Sequence, residues 1–271
     1  MLAMPSIRPL GKQWHVTLAS LVKGARSELV VVSPFVAAYG TDFVGEHLSA
    51  PMRAAGRLVF VTDLSPVNVC QTATDPGAVM SLAAMLTDSI VRHLPRLHAK
   101  VFVADGEAAI ITSGNLTAGG LRHNFEYGVE LRNRNIVRKV RRDLLELADL
   151  GATVSRDRLA AYCAAAARLR ESFEQQRRTV AASARRELAR ALQSAEDDLL
   201  RMRLAGGAMH TLFGKTICYL LRVHGRLSTE ELHPLVADLH PDLCNNAVDR
   251  VIDGKRFGKK WKHAVRTAQQ H

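Results

Sequence analysis

Through the first 150 residues, apolar positions switch between two periods. The runs at 28–35 (ELVVVSPF), 57–64 (RLVFVTDL), 97–105 (LHAKVFVAD) and 108–114 (AAIITSG) are short, β-branched and bounded by turn-forming residues, which predicts strands. Between them, about 12–25, 41–50 and 76–86 carry a helical period. The first two strand–helix units predict parallel pairing. Asp105-Gly106 predicts a tight two-residue hairpin joining 97–105 to 108–114. A further strand is expected at 125–133 (FEYGVELRN), then a helix over 136–151 that stops at Gly151. The expectation is an α/β domain over 1–152, with a mixed sheet flanked by helices.

The pattern changes after that point. Residues 155–205 lack Gly and Pro and are rich in Ala, Arg, Leu and Glu. Leu159, Tyr162, Ala166, Leu169 and Phe173 fall at three-to-four spacing and make one apolar stripe. A helical connector over 153–205 is expected, either as one helix or as two with a break near 179–183, ended by Gly206-Gly207 and available as a dimer contact. Residues 206–271 predict a small helical unit. Its parts are an apolar helix ending at Gly225, a helix over 229–239 opened by a Ser228/Glu231 capping box, and a third helix over 243–253. Pro234 should shorten or kink the second of these. A glycine-rich turn, GKRFG, and a basic helix running to His271 follow. That order predicts a helix-turn-helix or winged-helix-like DNA-binding module.

Charge sharpens the picture. The net charge is +11 and the pI about 10, which favours anionic partners. Residues 1–121 are nearly balanced, with nine Lys/Arg against eight Asp/Glu. The excess is concentrated at 122–142, seven against two, and at 254–271, six against none. Lys255, Arg256, Lys259, Lys260, Lys262 and Arg266 are the DNA-contact candidates of the second cluster, while Trp261 among them reads as core. No apolar run is long enough to span a membrane. The N-terminus lacks the succession of a signal peptide, and the four scattered cysteines form no CxxC pair. A cytoplasmic protein without disulfides is the expectation.

The chemistry is concentrated at 97–131 (LHAKVFVADGEAAIITSGNLTAGGLRHNFEYGVEL). On a strand, His98 and Lys100 leave the same face. The tight hairpin would bring Ser113 and Asn115 back beside them. Ser, Asn and Lys side chains all donate to a phosphate-like oxyanion. Glu126, expected on the following strand, could bind one histidine nitrogen and leave the other as nucleophile or acid, with Glu130 in reserve for that role. No metal-ligand spacing accompanies the set, so no metal or other cofactor is expected and the histidine itself would attack. Asp105, placed in the turn, reads as structural.

His98-x-Lys100-x4-Asp105 followed by Ser113-x-Asn115 resembles the signature of the phospholipase D superfamily. The tract GNLTAGGLRHNFEYGVEL is more similar to its bacterial nuclease and restriction-endonuclease branch than to its lipases. The resemblance covers most of 25–150. It departs at Thr112, where the family usually has Gly. It implies a phosphohistidine mechanism with two histidines, one attacking phosphorus and one protonating the leaving oxygen. The sequence holds a single His-x-Lys motif of this kind. A homodimer sharing one site, with His98, Lys100, Ser113, Asn115 and Glu126 as its catalytic residues, is therefore expected. The implied function is a metal-independent DNA nuclease serving in defence against foreign DNA. The alternatives are a phospholipase or other phosphatidyl hydrolase, and a catalytically silent DNA-binding protein.

Overall fold

The computed structural model describes residues 6–11, 13–178, 182–204 and 207–270. Its centre is an eight-stranded mixed sheet built from β1 (Ile7–Leu10), β2 (Glu28–Val32), β3 (Arg57–Thr62), β4 (Asp88–His93), β5 (Val101–Ala104), β6 (Ala108–Thr112), β7 (Gly128–Leu131) and β8 (Ala152–Val154). The order across the sheet is β1-β7-β6-β5-β2-β3-β4-β8. β2, β3 and β4 run parallel, as the strand–helix alternation predicts, and the other pairings are antiparallel. Three strands were not legible as strands. β1 and β8 are three or four residues long at the sheet edges, and β4 (DSIVRH) carries polar residues in a parallel position.

Both faces of the central strands are covered, so they read as continuous apolar runs. One face of the sheet contributes Leu29, Val31, Leu58, Phe60, Phe102 and Ile110. It packs under α1 (Trp14–Gly24), α2 (Ala38–His47), α3 (Ala50–Ala55), α4 (Pro66–Cys70), α5 (Pro76–Ala84), α7 (Arg156–Arg178) and α8 (Ala182–Leu204). The expected stripe of Leu159, Tyr162, Ala166 and Leu169 is buried in that core, with Phe173 against it. The opposite face contributes Val30, Val32, Val59, Val61, Val101 and Val103 and is covered by α6 (Arg134–Ala148). The expected break near 179–183 falls partly, and the stop at Gly206 wholly, outside the described residues. So does His271.

The C-terminal module has its own core. Phe213, Ile217 and Leu220 of α9 (Met209–His224), Leu232 and Val236 of α10 (Thr229–Leu239), and Trp261 and Val265 of α11 (Lys260–Ala268) pack together. The Ser228/Glu231 capping box is present, and α10 continues past Pro234 to Leu239 without being shortened. The third helix expected over 243–253 is absent. Turn and loop occupy 243–248, and a hairpin of β9 (Asp249–Ile252) and β10 (Lys255–Lys259) takes up the rest. Two local features decide this. The Asn245 side chain accepts from the Ala247 amide at 2.7 Å, an Asx turn that ends any helix there. Asp253 and Gly254 both adopt left-handed φ, +48° and +76°, the requirement of a tight hairpin turn. The basic helix is correspondingly short and begins at Lys260.

The module is not tethered loosely. The buried guanidinium of Arg203, at the end of α8, donates to the Leu150 carbonyl at 3.1 Å and to both oxygens of Asp242 at 2.6 Å, and it contacts His240 Nδ1. His240 Nε2 reaches the Thr216 hydroxyl at 2.6 Å. Burial, followed by the Arg203 charge, pushes the His240 pKa down to about 2, so the imidazole stays neutral. Arg222 of α9 pairs with Glu146 of α6 at 2.6 Å, and Arg96 pairs with Asp238 of α10 at 3.1 Å.

Candidate active site

His98 and Lys100 lie in an extended segment just before β5, not within it as the period-two pattern predicts. Backbone pairing nevertheless continues, because the Thr112 amide donates to the Lys100 carbonyl at 3.0 Å. Lys100 therefore keeps the side-chain phase of Phe102 and Ala104 and points into the face packed under α1, where Trp14 stacks on Phe102 at 5.7 Å. That explains why a lysine here is only 6% exposed. Its ammonium donates to the His98 carbonyl at 2.9 Å and lies 3.2 Å from His98 Nε2. An ammonium has no acceptor capacity, so Nε2 accepts and carries the lone pair. Burial lowers the Lys100 pKa, and the nearby Glu126 charge partly offsets this. The His98 side chain itself is exposed.

Ser113 and Glu126 form a direct hydrogen bond, with the hydroxyl donating to Oε2. Asn124 donates to the other oxygen of Glu126 at 3.1 Å, and Ser113 Oγ accepts from the Tyr127 amide at 3.0 Å. Glu126 lies in the loop before β7 rather than on a strand. Among the described residues it makes no hydrogen bond to His98. In this structure the carboxylate holds Ser113 and faces Lys100 electrostatically. Glu130 does not take the role either. It is buried between Arg8 at 2.8 Å and Arg132 at 2.6 Å, on the β1–β7 edge.

Asn115 sits in the loop beyond β6, at the sheet end that carries His98 and Lys100, but bonds to neither. Its Oδ1 is buried without a partner among the described residues. The loop is fixed on all sides. The Leu116 amide donates to Ser33 Oγ at 3.0 Å, and the Trp14 indole donates to the Gly120 carbonyl at 2.8 Å. A Cβ on Gly114 would lie 2.6 Å from the Trp14 ring, and one on Gly120 2.3 Å from the Asn115 carbonyl oxygen. Thr112 uses its hydroxyl to accept from the Gly114 amide at 3.2 Å, which closes the turn before Asn115. Trp14, Ser33 and Asn124 are supporting residues that sequence reasoning missed. Only Asn124 stood near the motif.

Asp105 is structural, as its turn position indicates. Its carboxylate accepts four hydrogen bonds at 2.8 Å, from the Arg26, Ser27 and Glu28 amides and the Ser27 hydroxyl. Burial raises its pKa, but these bonds outweigh that and hold it below the usual value. The connection is three residues long, since Ala104 pairs with Ala108, and is not the two-residue turn expected. Asp105 and Gly106 still supply the left-handed pair, with φ of +53° and +67°.

A cleft beside His98 is lined by Leu97, Leu147 and Leu150 and, from the C-terminal module, by Asp238 and Leu239. Phe125 and Tyr127, on either side of Glu126, are 89% and 67% exposed. The two basic clusters differ. On and near α6, Arg132, Arg134, Arg138, Lys139 and Arg141 are all engaged by carboxylates. In the C-terminal cluster, among the described residues, only Lys259 and Arg256 are paired, both with Asp249, at 2.7 and 3.5 Å. Lys262 lies over the Trp261 ring at 5.6 Å, while Lys255, Lys260 and Arg266 make no ion pair among the described residues. Trp261 is 3% exposed, as a core residue. Among the described residues, no helix is long and apolar enough to cross a membrane, and no group of three or more His, Cys, Asp or Glu is placed to hold a metal ion.

Residues 22–148, which carry His98, Lys100, Ser113, Asn115 and Glu126, match the family described as "Cardiolipin synthase, PLD-like domain". The matched segment covers just under half of the chain. No curated protein matches the chain. Among solved structures, it is similar to Nuc from Salmonella typhimurium, a phospholipase D family member, with 17% identity, a TM-score of 0.46, and coverage of 55% of this chain and 98% of that one. It is also similar to NucT from Helicobacter pylori, with 12% identity, a TM-score of 0.40, and 50% and 92% coverage. Phosphatidylserine synthase from Haemophilus influenzae Rd KW20 matches with 12% identity, a TM-score of 0.45, and 56% and 41% coverage.

Proposed function

We propose that this chain is a metal-independent phosphodiesterase that cleaves DNA through a phosphohistidine intermediate, at a site completed by a second copy. The observation that carries the reading is the exposed His98, whose Nε2 lone pair is held by the ammonium of a buried Lys100. At rest, that nitrogen is occupied by the ammonium. A phosphodiester anion entering the site competes for Lys100, and the salt contact it gains frees Nε2 to attack. The new N–P bond forms as the P–O bond to the leaving group breaks. The leaving oxygen needs a proton, and His98 of one chain cannot be nucleophile and acid at once. The His98 of a second copy supplies that proton, then takes one from the water that hydrolyses the N–P bond. The side-chain NH2 of Asn115 would be a further donor to the phosphoryl oxygens, and Ser113 would become one only when its hydroxyl leaves Glu126. The unpaired cations of the C-terminal module would hold the DNA, and defence against foreign DNA is the biological setting we favour.

A second reading, phosphatidyl-group chemistry, is favoured by the description of the matching family and by the apolar rim of Phe125 and Tyr127. One experiment separates the two. Plasmid cleavage in excess EDTA is measured beside release of choline from phosphatidylcholine vesicles, with the wild type and His98→Ala. Nicking that resists EDTA and disappears in His98→Ala, with folding unchanged, is the expected outcome. Lipid turnover without nicking would replace this reading by the second, and nicking retained above about a tenth in His98→Ala would remove His98 as nucleophile.

A further inference from the structure

The β9–β10 hairpin stands with both faces in solvent. Val251 is 57% exposed, Ile252 41% and Phe257 54%. An isolated two-stranded ribbon is marginal in water, and clustered exposed apolar side chains mark an interaction site. The ribbon is held firmly at its base alone. Lys260 N donates to the Val248 carbonyl at 3.1 Å, Asp249 pairs with Lys259 and Arg256, and Trp261 anchors the following helix in the core. Register places Lys255 opposite Ile252 and Arg256 opposite Val251, so each face presents a cation beside an aliphatic side chain. Phe257 projects at the irregularity between Arg256 and Lys259. From residue 254 onward the sequence has six Lys/Arg and no acid. Such a surface complements a polyanion that also offers apolar edges.

We infer that this hairpin enters a groove of double-stranded DNA, with Lys255 and Arg256 on the flanking phosphates and Val251, Ile252 and Phe257 against base edges. A two-stranded ribbon has the width the major groove accepts, and thymine methyls are natural apolar contacts there. The hairpin would then add base discrimination to the uniform attraction of the surrounding charge. This rests on the reading that DNA is the partner, but not on cleavage.

The test uses the full chain. Fluorescence anisotropy with a random-sequence duplex at several salt concentrations gives affinity and its log–log salt slope for the wild type, Phe257→Ala, Val251→Ser/Ile252→Ser and Lys255→Ala/Arg256→Ala. Circular dichroism checks that each is folded. The apolar variants should bind several-fold more weakly with the slope unchanged, whereas the lysine–arginine variant should lose about two units of slope. Wild-type binding that no hairpin variant alters overturns the hairpin assignment alone. Absence of wild-type DNA binding at low salt overturns the DNA reading and the hairpin with it. Binding to phosphatidylglycerol vesicles in place of DNA would assign the same residues to a membrane surface and equally overturn the proposal.

Discussion

Two carboxylates near the motif behave differently from each other, and each makes a prediction. Asp105 belongs to the sequence signature, yet its hydrogen bonds run to the chain entering β2 rather than to the reacting groups. Asp105→Ala leaves three amides without their acceptor and replaces Asp, which tolerates the left-handed φ of +53°, with Ala, which tolerates it less. It should cost about 1–3 kcal/mol in urea unfolding while activity per folded molecule stays near wild type. A rate loss matched by no stability loss would make Asp105 catalytic. Glu126 works through charge. Burial lowers the Lys100 pKa and Glu126 opposes that, so Glu126→Gln removes the opposition and lowers the Lys100 pKa further. Activity that needs the ammonium is lost as pH rises through that pKa, so the alkaline limb of the pH–rate profile should move to lower pH. An unmoved limb, or one moved upward, would contradict the coupling. The candidate site residues were legible because His98-x-Lys100 and Ser113-x-Asn115 resemble a known motif. Their partners were not. Whether Glu126 meets His98 or Ser113 depends on the path of the loop over 123–127, which no periodicity encodes.

Strand and helix types followed from pattern wherever burial was strong, and failed where turns decided. The central strands are covered on both faces and announce themselves as β-branched runs. The dipeptide Asp-Gly was read as a hairpin at 105–106 but not at 253–254, where the same left-handed pair forms. The helix expected over 243–253 runs across that turn. The docking of the C-terminal module was invisible for another reason: it depends on one arginine among many. Arg203 is 4% exposed and compensates Asp242 and His240 at once. Replacing it with Ala leaves Asp242 without its cation and the Leu150 carbonyl without its donor. A loss of about 3–5 kcal/mol is expected on the scale of broken buried pairs, read as an earlier urea transition of the module's single buried tryptophan, Trp261, in Arg203→Ala. The cleft beside His98 shares Asp238 and Leu239 with this module, so the same variant should also raise KM for DNA. An unchanged transition would mean that the apolar contacts of Tyr219 and Leu239, with the Arg222–Glu146 and Arg96–Asp238 pairs, suffice to hold the module.

At the scale of the whole molecule, the question is how one His-x-Lys motif would perform the proposed reaction, which calls for two histidines. The exposed position of His98, and the Phe125 and Tyr127 side chains around Glu126, place reactive groups and uncovered apolar surface on the same side. Two copies meeting there about a twofold axis would bury that surface and bring both His98 residues to one phosphorus. Light scattering should then give a dimer without DNA. Mixing makes the sharper test. Wild type and His98→Ala are combined in equal amounts under conditions that allow subunits to exchange. If each site needs both histidines, only dimers of two wild-type chains act, and about a quarter of all sites survive. Activity should fall to about half of that of the same quantity of wild type diluted with buffer. If each chain works alone, the variant is inert and the activity is unchanged. A monomer that is active at micromolar concentration, or a mixture with full activity after verified exchange, would refute the shared site and require a second general acid from within one chain.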